Sequence, residues 1–375
     1  MMADALTKKK LARIREHMRH SGVEGLLLCE NGRTRYVTGY QRYFTATYLA
    51  PVHAVLMTHH ADPVLFLPTH VLPAKVEFFW GQAVDYPFTD EARCEVLHRT
   101  LHDLGVERGP VAIEFDFLPH VFVEIFKRQL GNTPIVDAAP LMNLVTAIKF
   151  DEELDIIRKA ARIADAGIAA AIESIREGAT EIEVGARSSS RMLDEGAEYI
   201  NHMTVRSGPH STGCFPLLTS RPFQKGECVQ LDIGCCIDGY ISDMNRTVVI
   251  GNANQDQRRL LKCGQDMLLA GTAAVRPGLK ASAIWDAVYR VAEEAGMAKF
   301  ITIPFAGHGV GIGLHDFPYI VPTSETVLEQ NMVLALEPGV YADGVGGSRP
   351  EDMLIVTGTD HEVLTHHPRD YDMLS

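Results

Sequence analysis

No stretch of this 375-residue chain runs through about 18 apolar residues without a charge or a breaker, so no transmembrane helix is expected. Positive charge is also short. The 35 lysines and arginines face 48 aspartates and glutamates, a formal net charge of -13 that excludes a surface made to wrap a polyphosphate, and with it nucleic acid as partner. The seven cysteines are odd in number, irregularly spaced and without a CxxC pair. Neither a disulfide framework nor a thiolate zinc site follows, and a reducing cytoplasm is the expected compartment. The basic N-terminus lacks the uninterrupted apolar segment of a secretory signal; Leu11, Ile14 and Met18 fall at helical spacing and predict an amphipathic helix instead. Aromatics are only 7%, but 46% hydrophobic and 22% charged residues are ordinary for globular chains, and the length is a prior for two or three domains.

The first ~150 residues alternate between strand and helix patterns. Gly22 reads as a helix stop, and Gly25 to Cys29, AVLMT and DPVLFL read as strands. A helix near Glu91 to Leu104, a strand in PVAIEF and a helix in VFVEIFKRQL complete an α/β layer domain over residues 1–150. From Asp151 a long amphipathic helix begins, with Leu154, Ile157, Ala160, Ile163 and Gly167 on one stripe, and the domain boundary is placed there. The remainder, 151–375, contains an echo at an offset of a hundred residues: Arg176-Glu177-Gly178 against Arg276-Pro277-Gly278, Val184 against Ile284, Asp194 against Glu294, Gly196 against Gly296. A duplicated half-domain is the economical reading, with two helix pairs sharing the same turn chemistry as the alternative. Two similar halves facing each other make a cleft in which ligands sit.

Within the stretch from Cys228 to Gly251, Asp238-Gly239 is a strong two-residue hairpin signal. With that turn, Ile237 faces Tyr240 and Gly234 faces Asp243, making Asp232 and Asp243 diagonal neighbours about 7–8 Å apart at Cα. They are either solvated aspartates on an open sheet face or, given the apolar flanks Val229, Leu231 and Ile233, a buried pair that needs a cation. In the second hairpin Glu337 and Glu351 lie seven residues either side of Gly344, directly opposed. The glycine-rich FAGHGVGIGLHDFP between the hairpins carries His308 and His315, without a Walker lysine or a GxGxxG phosphate loop. Four carboxylates with one imidazole suit manganese, iron, cobalt or zinc, and four negative charges neutralise two divalent ions. Arg349, two residues before Glu351, faces the same way along its strand, either to orient a carboxylate or as a surface arginine.

These residues resemble a known family. The segments LDIG followed by SDMNRT, GHGVGIGLHDFP, ALEPGVY and SRPEDMLIVT are similar to those of the pita-bread metallopeptidases, which include methionine aminopeptidase, aminopeptidase P and prolidase, with creatinase as a metal-free relative. NGRTRYVTGY resembles the N-terminal-domain motif of the prolidase and creatinase branch, and KFDEELDIIRKAARIADAGI its linker helix. The resemblance implies a creatinase/prolidase-type α/β domain followed by an α+β pita-bread domain of pseudo-twofold duplicated halves. It implies a ligand set of Asp232, Asp243, His308, Glu337 and Glu351 for two divalent ions, with Glu337 also carrying a proton from water to the leaving nitrogen and His315 holding the carbonyl oxygen. It implies a homodimer, the neighbour's Arg42 or Tyr43 bordering the cleft.

The proline-specific members typically carry a further histidine in a segment like SGPNSALPHY. Here an ungapped alignment places Phe215 at that position, removing a group used for substrate contact, while His210 or His202 is either a substitute for it or an ordinary loop histidine. Three functions are therefore carried forward. The first is a metal-dependent Xaa-Pro dipeptidase or aminopeptidase-like hydrolase acting on a small peptide, with His210, Phe215 and Arg349 as substrate contacts. The second is a hydrolase or lyase of a small compatible solute, cleaving a C–N or similar bond. The third is a catalytically silent binding scaffold.

Overall fold

The computed structural model describes residues 5–39, 53–68, 81–106, 109–213, 217–372 and 374. The chain divides into two compact units, Met1–Thr146 and Ala147–Ser375. In the first, the basic N-terminal segment forms α1 (Ala5–His20), and Leu11, Ile14 and Met18 are its buried stripe. A six-stranded sheet holds β1 (Gly25–Leu28), β2 (Ala54–Thr58), β3 (Val64–Leu67), β4 (Gln82–Asp85), β5 (Val111–Ile113) and β6 (Ile135–Asp137), in the order β4-β3-β2-β1-β5-β6. β1 runs antiparallel to β2 and parallel to β5. Because β1, β2, β3 and β5 are buried at every position, they read as unbroken apolar runs rather than alternating ones.

The helices of this unit are α2 (Asn31–Thr38), α3 (Asp90–Asp103), α4 (His120–Leu130) and α5 (Ala139–Ala147). From α3 and α4, Cys94, Leu97, Phe122 and Phe126 pack into one core with Leu27, Leu56 and Ile113. The NGRTRYVTGY segment is α2 itself. Glu30 caps its first turn by accepting from Arg33 N at 2.7 Å, and Gly39 ends it in the left-handed region at φ 69°. Buried Glu114, just past β5, accepts the backbone N–H groups of Cys29 and Glu30 and the Arg33 guanidinium, so the helix start is tied to the sheet.

The second unit is built twice on one plan. Its first half has α6 (Asp151–Ser174), α7 (Glu181–Asp194) and a sheet of β7 (Tyr199–Ser207), β8 (Cys228–Ile237), β9 (Tyr240–Ile241) and β10 (Met244–Val249), ordered β10-β8-β7 with β9 paired to β8. Its second half has α8 (Gln255–Ala274), α9 (Ala281–Glu294) and a sheet of β11 (Gly307–Gly309), β12 (Asp316–Ile320), β13 (Val333–Leu336), β16 (Asp352–Val356) and β17 (His361–Val363), ordered β12-β11-β13-β16-β17. The small hairpin β14 (Val340–Ala342) and β15 (Gly346–Ser348) stands off the second sheet.

The hundred-residue echo falls on matching places. Gly178 and Gly278 both turn with φ near +80° (81° and 83°), and Gly196 and Gly296 both end their helices at positive φ. Thr180 bridges to Pro222 as Lys280 bridges to Val327. Each half keeps its own core: Ile163, Ile168, Val184, Leu231 and Ile233 in the first, Leu260, Met267, Ile284, Leu334 and Leu354 in the second. Burying the sheet face of each half under its helix pair leaves the strand ends free to converge.

Candidate metal centre

The Asp238-Gly239 turn sets the first side of the site. Both residues sit at positive φ (49° and 83°), the geometry of a two-residue hairpin turn that matches strand twist, and Ile237 pairs with Tyr240. The same register continues into β10, where Met244 faces Ile233 and Asn245 faces Asp232. Asp232 and Asp243 are both nearly buried, at 6% and 4% exposure, so they are not solvated acids on an open face. The second side follows the register expected around Gly344: Val340 pairs with Ser348, and Leu336 with Asp352. Glu337 and Glu351 therefore stand opposed where β13 ends and β16 begins, at 6% and 1% exposure.

One imidazole joins the two sides. His308 is fully buried on β11, with Nε2 3.1 Å from Glu337 Oε1 and 3.5 Å from Asp243 Oδ2. Its Nδ1–H donates to the Gly309 carbonyl at 2.8 Å, which holds the ring with Nε2 toward the acids. Gly307 makes this approach possible. It sits at φ 148°, and a Cβ there would lie 2.1 Å from the Ala335 oxygen of the neighbouring strand.

Arg349 is buried as well and links the halves, donating to Glu337 Oε2 at 2.6 Å and to Asp232 Oδ2. The surface alternative for this residue is thereby excluded. His315 stacks beside His308 with ring centroids 4.1 Å apart, and Phe305 lies against both rings. A cavity of about 250 Å³ opens next to them, between Ile303, Phe305 and Tyr341 on one side and His315, Glu337 and Arg349 on the other.

Two residues that sequence reasoning left aside, Asn201 and Arg206, enter the same cluster together with His202. His202 lies on β7, not in a loop, and its Nε2 is 3.1 Å from Asp232 Oδ1 and 3.2 Å from Asp243 Oδ1. Asn201 Nδ2 is 3.2 Å from His202 Nδ1. Arg206 is fully buried, reaches Asp232 Oδ2 at 3.4 Å and bonds the Gly213 carbonyl. The signal was the period-two alternation His202, Thr204, Arg206, which puts all three on one strand face. His210, in contrast, is held elsewhere: its Nδ1 lies 2.9 Å from Glu181 Oε1, part of a buried carboxylate that also accepts from Ser207 and Thr219. Phe215 lies outside the described residues, as do Arg42 and Tyr43.

Electrostatics shows how unusual this packing is without a cation. Burial works against a charged His308, but Asp243 and Glu337 overcome it and raise the imidazole to about 10. Burial, then the Asp243 and Glu337 carboxylates, push Glu351 well above the carboxylate range. Burial also lifts Glu337. Burial pushes Asp243 up, yet the His202 and His308 imidazoles more than offset it and hold this acid low. His308 Nε2 and both Glu351 oxygens are buried and make no hydrogen bond of acceptable geometry. Buried polar atoms in that condition cost free energy until a hydrogen-bond partner or a cation engages them. The groups His308–Glu337–Glu351, His202–Asp232–Asp243 and Asp243–His308–His315 each bring three ligand atoms within 4.8 Å of one another, the first two with two oxygens and one nitrogen and the third with one oxygen and two nitrogens, donor sets suited to a divalent cation.

Comparison with known proteins agrees. The model of Metallopeptidase family M24 matches residues 155–358, and that of the Creatinase/Prolidase N-terminal domain matches residues 10–147. An Xaa-Pro dipeptidase of Pyrococcus furiosus is 33% identical over 254 residues, covering 68% of this chain and 73% of that one. The crystal structure of the prolidase from Pyrococcus horikoshii superposes with a TM-score of 0.84 at 26% identity, covering 97% of this chain and 99% of that one. That of dipeptidase PepE from Mycobacterium ulcerans does so with 0.86 at 26% identity, covering 98% and 97%. With buried acids and imidazole gathered where two duplicated halves meet, and with both family models matched along its length, the chain belongs to metallopeptidase family M24 and is a metallohydrolase.

Proposed function

We propose that the protein is an Xaa-Pro dipeptidase-type hydrolase in which Asp232, Asp243, His308, Glu337 and Glu351 hold two divalent ions, from the set manganese, cobalt, zinc and iron. The observation that carries this reading is the set of buried ligand atoms without a hydrogen bond, His308 Nε2 and the two Glu351 oxygens, packed beside the Asp243 and Glu337 carboxylates. We further take residues 151–375 as the catalytic domain and 1–150 as an accessory domain. A reducing cytoplasm fits the six described cysteines, none of which forms a disulfide, and a homodimer is carried over from the resemblance to the prolidase branch.

When bound, the ions lower the pKa of water and polarise the scissile carbonyl. The chain's own groups do the rest. Glu337, on the wall of the cavity, takes the proton of the attacking water and delivers it to the leaving nitrogen. His315, on the cavity wall and packed beside His308, donates a hydrogen bond to the carbonyl oxygen as negative charge develops there. Arg349 fixes the orientation of Glu337 and Asp232 by its two-pronged contact. The cavity walls Ile303, Phe305 and Tyr341 present an apolar seat for a short side chain. This supports a small substrate rather than an extended polypeptide.

Phe215 favours a second reading, an amide or C–N bond of a small solute, since it stands where proline-specific relatives of this fold carry a histidine. One experiment separates the two: metal analysis of the purified protein, then a panel of Xaa-Pro dipeptides, longer Xaa-Pro peptides, creatine and related solutes. Turnover of Xaa-Pro dipeptides supports the first reading. Turnover of solutes alone selects the second, and no bound metal with no activity after adding manganese, cobalt or zinc refutes both.

A further inference from the structure

In the His202–Asp232–Asp243 triangle, His202 alone has no place in the five-residue ligand set, and its position rests on four local features. First, β7 pairs with β8 in a register that shifts by one between Ile200 and His202, so Asn201 is the extra residue of a β-bulge. Without the shift His202 would face Ile233 and point into the hydrocarbon core. With it, His202 faces Gly234 and joins Thr204 and Arg206 on the side of Asp232.

Second, the ring occupies space taken from the opposite strand. A Cβ on Gly234 would stand 2.4 Å from His202 Cε1 and 2.1 Å from the Ser242 oxygen, so only glycine admits the imidazole at this point. Third, Nε2 is almost equidistant from two carboxylate oxygens, 3.1 and 3.2 Å, which is a donor triangle rather than a single hydrogen-bonded pair. Fourth, Nδ1 is engaged by the Asn201 side chain. An amide can turn by 180° and present its oxygen instead, which fixes the proton on Nδ1 and leaves the Nε2 lone pair for a cation.

Resting on the metal reading above, we infer that His202 is a sixth ligand of the metal centre, binding through Nε2 the ion held by Asp232 and Asp243, with Asn201 as its positioning residue. Each half then supplies one imidazole and two carboxylates: His202 with Asp232 and Asp243, His308 with Glu337 and Glu351. β7 is the antiparallel neighbour of β8 as β11 is of β13, so the two imidazoles come from corresponding places in the two sheets. On binding, the Nε2 proton moves to Nδ1 through solvent and no redox change is involved. Arg206 and Arg349 remain on Asp232 Oδ2, while the face toward His202 is offered by Oδ1. A second nitrogen also shifts the preference of the centre from manganese toward cobalt and zinc.

The test uses the full chain stripped with a chelator and titrated calorimetrically with cobalt. Zinc-loaded protein is then examined by X-ray absorption, whose outer-shell scattering counts imidazoles per metal. Expected are at least about a tenfold weakening of the weaker, or only, cobalt-binding event in His202→Ala and His202→Gln, and a few-fold weakening in Asn201→Ala, with the tighter event unchanged. The fully loaded wild type should show two imidazoles across the centre, a measurement that needs no variant to fold. One imidazole in the wild type, or variants that bind like the wild type, overturns the role of His202 while leaving the metal centre intact. A wild type that binds no metal overturns both.

Discussion

Replacing Glu351 by glutamine should make the metal-free protein more stable while weakening its response to metal. Glu351 is 1% exposed, and neither carboxylate oxygen has a hydrogen-bond partner. A buried polar group left in that state costs about 1–3 kcal/mol, and like charges packed beside it add to the cost. Glutamine keeps the shape, removes the charge and offers an N–H₂ to Asp243 and Glu337. For a unit of this size each kcal/mol moves Tm by about 2–4 °C, so the chelator-treated variant should melt about 2–12 °C above chelator-treated wild type. Metal works the other way. A cation at a hundredfold excess over its Kd stabilises wild type by about 2.7 kcal/mol per site, and the variant loses that gain at the site Glu351 serves.

The variant's lead in melting temperature therefore shrinks or inverts between chelator and metal, which differential scanning calorimetry reads directly. The pH dependence has a definite sign. Because the folded-state pKa of Glu351 lies above its ordinary 4.5, folding takes up a proton there. Its contribution is whole below that value and is lost as pH rises through the folded pKa. The advantage of the metal-free variant should accordingly be small in acid and grow toward neutrality. A chelated variant less stable than chelated wild type at neutral pH, or one that keeps the full metal-induced shift, refutes this reasoning.

Asp243→Ala should lose metal and activity together, checked by elemental analysis beside turnover, since this acid touches both imidazoles. His315→Ala should keep its metal and lose about 10²–10³ in kcat, the usual effect of deleting one oxyanion donor; loss of metal instead would make His315 a ligand in the Asp243–His308–His315 group. Glu181→Gln should cost about 1.5–3 kcal/mol in chemical denaturation, because an amide cannot accept all the donors of Ser207, His210 and Thr219. Burial raises the Glu181 pKa, but those hydrogen bonds outweigh it and leave it below 4.5. The stability difference should therefore be present at neutral pH and shrink as pH falls through the folded-state pKa.

The sequence carried the hairpin registers because turn chemistry carries them. Asp238-Gly239 admits a two-residue turn at positive φ, and counting outward from it puts Asn245 opposite Asp232 and so makes Asp243 the diagonal neighbour of Asp232. Gly344 does the same for Glu337 and Glu351. The helices were legible from their buried stripes, and the duplication from glycines that end matching helices. The roles of His202, Asn201 and Arg206 were not legible. Their strand pairs with β8 through no tight turn, so its register cannot be counted, and the bulge at Asn201 changes which face His202 takes. Glu181 escaped for a related reason: its partners lie 26 to 38 residues away, and nothing local marks a helix-start glutamate as buried.

What keeps four buried acids in one place is that each half neutralises the other. Asp243 of the first half is faced by His308 of the second, and Asp232 of the first by Arg349 of the second, which also holds Glu337. A half alone would keep its acids and lose much of their countercharge; the second half would even strand Arg349 on Glu337 beside an unpaired Glu351. Burial of such groups is tolerable only with the countercharge in position. The site is therefore also the seam of the unit, and ligand loss and separation of the halves should be felt as one event. Arg246, fully buried on β10 of the first half, reinforces the seam by donating to Asp352 of the second at 2.9 Å and to the Glu351 carbonyl at 2.5 Å. The backbone that presents the least-satisfied acid is thus held by a cation from the opposite half, so the position of Glu351 depends on the duplicated halves staying docked.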